Sequence, residues 1–309
     1  MLASPGPLPI AGSEGAWAYE VKWDGMRALA QIERGRVRLT SRSEMDVTAR
    51  FREIAESPAL AGLDDGTVLD GEIVAFDAAG RPSFSLLAPR IQGHRTNVVS
   101  VSYVAFDLLR NGADDVLGHP YRARRELLSE GVTAAPYVVV PDAFDDGPSL
   151  LAMTQAQGLE GVVAKRVEST YQPGLRSPDW VKVPHRRTAS FVIGGWKHGT
   201  THGHPVAALL VGSPTADGLL VYDGAVGSGL GDREVRALLP VMEEIQRGER
   251  SFHWAVGLPS EDEVTWVEPI LVADVEHLGR TGGGLLRSAA VVRLRPDLSY
   301  ESVWQGGGS

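Results

Sequence analysis

Four lysines stand against 26 arginines in this chain: Lys22, Lys165, Lys182 and Lys197. Where arginine serves for general positive charge, a retained lysine points to a task that a guanidinium cannot perform. One such task is nucleophilic attack, because a primary amine can give up its proton and a guanidinium effectively cannot. The contexts of three of the four support that reading. Lys22 lies in Glu20-Val21-Lys22-Trp23-Asp24-Gly25-Met26-Arg27, Lys165 closes Glu160-Gly161-Val162-Val163-Ala164-Lys165, and Lys182 follows Trp180-Val181.

The elements that must hold these residues are legible in part. Residues 17–42 read as two short strands joined by a turn at Glu33-Arg34-Gly35-Arg36, which puts Lys22 at a strand end before a bend at Gly25. Residues 47–56 have helical character, 67–77 and 98–109 read as buried strands, 122–130 and 149–157 as helices, and 161–166 as a strand. This mixture is α+β. Beyond Pro184-His185-Arg186-Arg187 the pattern changes to short strands at 191–196, 206–212, 219–226 and 265–275, which suits a small β-barrel. One helix interrupts them, with Val235, Leu238, Leu239, Met242 and Ile245 at helical spacing, and Pro240 is expected to bend or shorten it. Gly306-Gly307-Gly308-Ser309 reads as a flexible tail.

Composition narrows the function classes. The chain contains no cysteine, so disulfides, thiolate metal sites and cysteine nucleophiles are excluded. No apolar run approaches the ~20 residues of a membrane span, and a basic leader followed by an apolar stretch is lacking, so a cytoplasmic protein is expected. The formal charge of −9 argues against general nucleic-acid adhesion but permits a local basic groove.

A short pattern such as Lys-x-Asp-Gly-x-Arg is weak evidence alone; its company makes it specific. Ser41-Arg42-Ser43, Leu69-Asp70-Gly71-Glu72, Phe106-Asp107-Leu108, Glu160 to Lys165 and Trp180-Val181-Lys182 follow Lys22 in the order and spacing of the covalent nucleotidyltransferase motifs. The chain resembles ATP-dependent DNA ligases, most closely the ligase module of bacterial end-joining ligases. The resemblance runs from Met1-Leu2-Ala3 through Trp266-Val267-Glu268-Pro269 to Arg295-Pro296-Asp297. It implies an α+β nucleotidyltransferase (ATP-grasp-like, of the DNA ligase and capping-enzyme type) over residues 1–187, followed by an all-β OB-fold barrel over 188–309.

The residue types suit that chemistry. Cations near a lysine lower its pKa, carboxylates such as Glu72 and Glu160 are hard ligands for Mg²⁺ or Mn²⁺, and Lys165, Lys182 and Arg176 can meet phosphoryl oxygens. Carried over residue by residue, the resemblance implies that Lys22 becomes adenylylated by ATP, with Glu20 recognising adenine, Arg27 the ribose side and Phe106 stacking on the base. Glu72 would hold ribose or metal, Glu160 metal, and Lys165 and Lys182 the α-phosphate. Asp24 would lie near the 3′-hydroxyl in sealing and Arg42 at the 5′-phosphate, while Arg186, Arg187 and Lys197 would bring charge to the DNA backbone. The implied partners are nicked duplex DNA and, in repair, a Ku-like end binder or a polymerase, with the chain acting as a nucleoid-associated monomer.

Two departures stand out. The family's second lysine after Lys182 is here Pro184, and its Arg-x-Asp-Lys pattern ends in Leu298. Competing readings are an RNA ligase or capping guanylyltransferase, which share the lysine motif, and a nick-binding protein with weakened catalysis. His198, His202 and His204 read as a loop rather than a metal cluster, and Gly227-Ser228-Gly229 as a turn rather than a phosphate cradle.

Overall fold

The computed structural model describes residues 1–9, 15–93, 99–199, 205–253 and 257–305. His202, His204 and the 306–309 tail lie outside the described residues. The chain divides into two compact units, Met1–His185 and Arg186–Ser309.

The first unit opens with β1 (Leu2–Pro5), β2 (Trp17–Val21), β3 (Met26–Glu33) and β4 (Arg36–Ser41). The short helices α1 (Arg52–Ala55) and α2 (Pro58–Ala61) precede β5 (Val68–Ala75), α3 (Phe84–Ile91), β6 (Val101–Asn111) and β7 (Asp114–Asp115). Then come α4 (Tyr121–Gly131), β8 (Val138–Val139), α5 (Gly147–Ala156), β9 (Gly161–Arg166) and β10 (Arg176–Pro184). They form two sheets, one ordered β1-β10-β9-β2 and the other β4-β3-β5-β6-β7 with β8 beside β6.

Strand alternation builds the larger core: Ala28, Ala30 and Ile32 of β3 and Val37 and Leu39 of β4 turn inward to meet Phe51, Ile54, Leu60 and Leu128 from the helices. A smaller cluster of Met1, Leu109, Tyr171 and Trp180, with Ala3, Leu29 and Phe106 against it, draws side chains from both sheets. The facing surfaces of the sheets are therefore partly filled, and what remains open between them is the candidate site.

The second unit contains β11 (Arg187–His198), β12 (Val206–Pro214), β13 (Leu220–Val226), α6 (Asp232–Glu244), β14 (Gln246–Arg247), β15 (Val264–His277), β16 (Ala290–Leu294) and α7 (Tyr300–Gln305). Its six-stranded antiparallel sheet runs β13-β12-β11-β15-β14, with β16 on β15. One face carries Phe191, Ile193, Leu209 and Val275 under Leu238 and Met242 of α6. The other carries Val192, Leu210, Phe252 and Trp266, with Leu298 and Tyr300 packed on it.

α6 runs through Pro240 to Glu244. Burial of Leu238 and Met242 outweighs the one backbone hydrogen bond that a proline cannot donate. No helix among the described residues is long and apolar enough to cross a membrane.

Candidate active site

Register brings the motif residues together. In the first sheet Glu20 pairs with Val163 and Ala18 with Lys165, while Trp180 pairs with Lys165 and Lys182 with Val163. Because side chains alternate, Glu20, Val163, Lys165, Trp180 and Lys182 share one face. In the second sheet Arg27 pairs with Glu72. The β5–β6 register slips between Asp70, opposite Asp107, and Gly71, opposite Ala105. Phe106 is the extra residue of that bulge, a feature that re-aims a side chain. A pocket between the two faces is lined by Glu20, Lys22, Trp23, Arg27, Glu72, Phe106, Lys165, Trp180 and Lys182, among others.

Two glycines permit the close approaches. A Cβ on Gly25 would stand 2.3 Å from the Ile73 carbonyl oxygen, so only glycine lets the chain after Lys22 cross β5. Gly161 has φ +139°, and its Cβ would lie 2.2 Å from the Val183 oxygen. That tight passage sets Glu160 beside Lys22. The Lys22 backbone N–H donates to the Gly161 carbonyl at 2.8 Å, and its Nζ lies 2.6 Å from Glu160 Oε1.

Glu72 faces the same charges. Burial pushes its carboxyl up to about 8, opposed by Lys22 and Arg27 and reinforced by Asp70 and Glu160. The Glu160 carboxylate thus pairs with the Lys22 amine, and the Glu72 carboxyl lines the same pocket. Among the described residues, no group of three or more His, Cys, Asp or Glu side chains is placed to hold a metal ion.

Lys165 is 1% exposed. Its Nζ donates to both Glu20 oxygens at 2.9 and 2.8 Å and to the Phe106 carbonyl at 3.1 Å. It also lies 4.4 Å from the Trp180 ring centroid and 4.6 Å from that of Phe106. Burial lowers its pKa, while Glu20 and Asp107 act to raise it. The Tyr121 hydroxyl donates to Glu20 Oε1. Lys165 is therefore engaged with Glu20 and the aromatic rings at the pocket floor, whereas Lys182 is half-buried in the lining.

Asp24 is half-buried in the link after Lys22 and is not among the residues lining the pocket. Arg176 also stands outside that lining; it is exposed at the start of β10 and donates to the Ala3 carbonyl. Arg42 lies on an exposed turn after β4 and lines a second cavity of about 430 Å³ with Thr40, Ser41, Asp70 and Tyr171. Arg27 borders both cavities.

In the second unit, Arg186 pairs with Glu276 at 2.8 Å and Lys197 with Glu263 at 3.2 Å, while Arg187 is exposed opposite His277. His198 shares a 2.8 Å hydrogen bond with the Thr265 hydroxyl.

Sequence reasoning assigned no role to Tyr121, Tyr171 or Asp107. Asp107 and Arg124, both 0% exposed, form a two-pronged pair at 2.8 and 2.9 Å that ties β6 to α4. Its only sequence signal is the charged residue inside the apolar run of β6.

Comparison with known proteins adds to this geometry. Residues 1–183 match the model of the ATP dependent DNA ligase domain, and 202–298 that of the ATP dependent DNA ligase C terminal region. The multifunctional non-homologous end joining DNA repair protein LigD of Mycobacterium tuberculosis is 41% identical over 98% of this chain and 39% of its own length. The LigD of Mycolicibacterium smegmatis is 35% identical over 99% and 39%. The chain thus spans about two fifths of those proteins. A structure of mycobacterial DNA ligase D complexed with ATP and MES superposes with a TM-score of 0.55 at 38% identity, covering 98% of this chain and 96% of that one. The α+β unit followed by a β unit corresponds to the catalytic and OB-fold parts of such ligases.

Proposed function

This chain belongs to the ATP-dependent DNA ligase family, and from that premise we propose that it seals 5′-phosphate/3′-hydroxyl breaks in duplex DNA through a lysyl-AMP intermediate. The observation that carries the reading is the Lys22 amine in a pocket with Glu160 at 2.6 Å and Glu72 nearby. Lys22 Nζ attacks the α-phosphorus of ATP; a P–N bond forms, the bond to pyrophosphate breaks, and the amine gives up a proton. A DNA 5′-phosphate oxygen then takes the AMP and frees Lys22. Finally the 3′-hydroxyl attacks the activated 5′-phosphate and AMP departs. Residues 1–187 are the adenylation domain in this reading and 188–309 the OB-fold domain.

Glu20 recognises the base, Phe106 stacks on it, Arg27 meets the ribose side and Lys182 the α-phosphate. Lys165, which pairs with Glu20, lines the same pocket as Lys182 and shares the α-phosphate with it in this reading. Arg176, exposed at the start of β10, meets phosphoryl oxygens in the same reading. Asp24 serves the 3′-hydroxyl, Arg42 the 5′-phosphate, and Arg186, Arg187 and Lys197 the DNA backbone.

The donor set suits Mg²⁺. Glu72 and Glu160 are hard oxygen donors, and a cation bound beside Glu72 would favour release of the proton that its raised pKa retains. Mg²⁺ completes its shell with water and phosphate oxygens, so two carboxylates suffice, and when bound it supplies charge neutralisation at the phosphates.

The names of the relatives support a place in end joining; a Ku-like end binder and a repair polymerase as partners, with the nucleoid as the working location, belong to the same proposal. Incubation with α-labelled ATP and Mg²⁺, then denaturing electrophoresis, tests the core of the proposal. An acid-labile labelled band is expected, with ATP preferred to GTP. A chain that takes label from GTP instead belongs with capping enzymes, and one that takes none is not a self-adenylylating ligase.

A further inference from the structure

Tyr171 lies between β9 and β10, is 6% exposed, and is anchored by a 2.9 Å bond from its backbone N–H to the Leu117 carbonyl. Its ring meets Trp180 edge-on at 5.8 Å. Its hydroxyl donates to Asp70 Oδ2 at 2.8 Å and accepts from Arg27 Nη2 at 3.1 Å. Asp70, itself 0% exposed, receives Arg27 Nε at 3.0 Å and Nη2 at 2.5 Å.

A guanidinium has five N–H groups. Asp70 takes one from Nε and one from Nη2, and Tyr171 takes the other from Nη2, so the guanidinium plane is fixed. Among the described residues Nη1 has no protein acceptor, and Arg27 borders both the nucleotide pocket and the cavity that contains Arg42.

We propose that Tyr171 is a positioning residue that holds the Arg27 guanidinium so that its Nη1 hydrogens are presented to nucleotide oxygens. The proposal rests on the ligase reading. Asp70 alone fixes two donors on one edge of the guanidinium, and the Tyr171 hydroxyl closes the third. Burial and the neighbouring Asp70 carboxylate push ionisation of the hydroxyl well above its usual range, so it remains a donor to Asp70 at neutral pH.

Tyr171→Phe keeps the ring on Trp180 and deletes the hydroxyl alone. The test uses α,β-methylene ATP, whose α–β linkage cannot be cleaved, with binding measured by equilibrium titration for the wild type, Tyr171→Phe, Arg27→Ala and the double variant. Tyr171→Phe is expected to weaken binding about 3- to 10-fold, the size of one lost hydrogen bond. The double variant should bind no more weakly than Arg27→Ala, because the hydroxyl acts only through that arginine. The melting temperature of Tyr171→Phe should stay within about 2 °C of wild type. Equal weakening in both backgrounds, or unchanged binding with a larger fall in melting temperature, overturns the positioning role. A wild-type protein that neither binds the analogue nor takes label at Lys22 overturns the ligase reading instead.

Discussion

Lys22 Nζ and Glu160 Oε1 stand 2.6 Å apart, and the backbone N–H of the same lysine is bonded to Gly161, the residue after that glutamate. Lys22 and an acidic partner 138 positions away are thus held through two adjacent strand ends.

Lys22→Arg preserves the ion pair but removes the nucleophile. The variant should keep its fold and melting temperature, take no label from ATP, and still seal a nick that already carries AMP. Labelling of Lys22→Arg would show that another group is adenylylated.

The pairing of Lys165 with Glu20 predicts strong non-additivity. Lys165→Met leaves a buried carboxylate without its counter-ion and should cost ~3–5 kcal/mol of stability. Glu20→Gln combined with Lys165→Met should cost less than Lys165→Met alone, because no uncompensated charge remains. Denaturant unfolding of the three variants provides the comparison, and additive losses would mean that the two side chains are not coupled.

Glu72 gives the fold a pH dependence of known sign. With its folded pKa near 8 against 4.5 for the free side chain, the native state holds the proton more tightly than the unfolded one. Its contribution is therefore fully present below about pH 4.5 and is lost as pH rises through about 8. In buffer free of divalent cations, Glu72→Gln should gain melting temperature relative to wild type as pH goes from 5 to 9. A constant difference across that range would place the carboxyl at its ordinary pKa.

Leu298, at the position where the family resemblance leads one to expect a lysine, packs on the cluster of Phe252 and Trp266. Leu298→Lys should therefore destabilise the second unit by about 1–3 kcal/mol, the cost of burying polar groups without partners. Pro184→Lys, at the end of β10, should leave melting nearly unchanged and raise the rate of labelling from ATP more than sealing of pre-adenylylated nicks. Equal effects on both steps, measured in single turnover, would mean that other residues already serve the triphosphate.

Arg186 and Lys197 are held by half-exposed carboxylates, Glu276 and Glu263. Such surface pairs are worth ~0–1 kcal/mol and exchange readily for phosphate. Affinity for nicked duplex should fall steeply between low and high salt despite the acidic total, by about one unit of log–log slope per phosphate contact. Arg42→Ala should lower that slope, and a flat salt dependence would exclude a phosphate-led interface.

The sequence by itself brought Lys22, Glu72 and Glu160 forward and set out the order of most elements. A lysine retained among arginines, glycines at fixed offsets and alternating apolar residues are local signals, and local signals survive in a one-dimensional record. Gly25 and Gly161 were visible as letters, though the backbone contacts that require them were not. Tertiary structure alone decided which polar side chains became partners. Lys165 read as a phosphate ligand from its motif; only strand register shows that it also sits diagonally opposite Glu20 in an aromatic surround, where an ammonium without a carboxylate would be too costly. Arg176 read the same way, and only register shows that β10 aligns it with β1, where it meets the Ala3 carbonyl. Tyr171 carried no signal, because a tyrosine in a polar link becomes informative only when folding brings Asp70 and Arg27 to its hydroxyl. Pair interactions between distant residues depend on register and sheet packing, which emerge from the whole core and from no single segment.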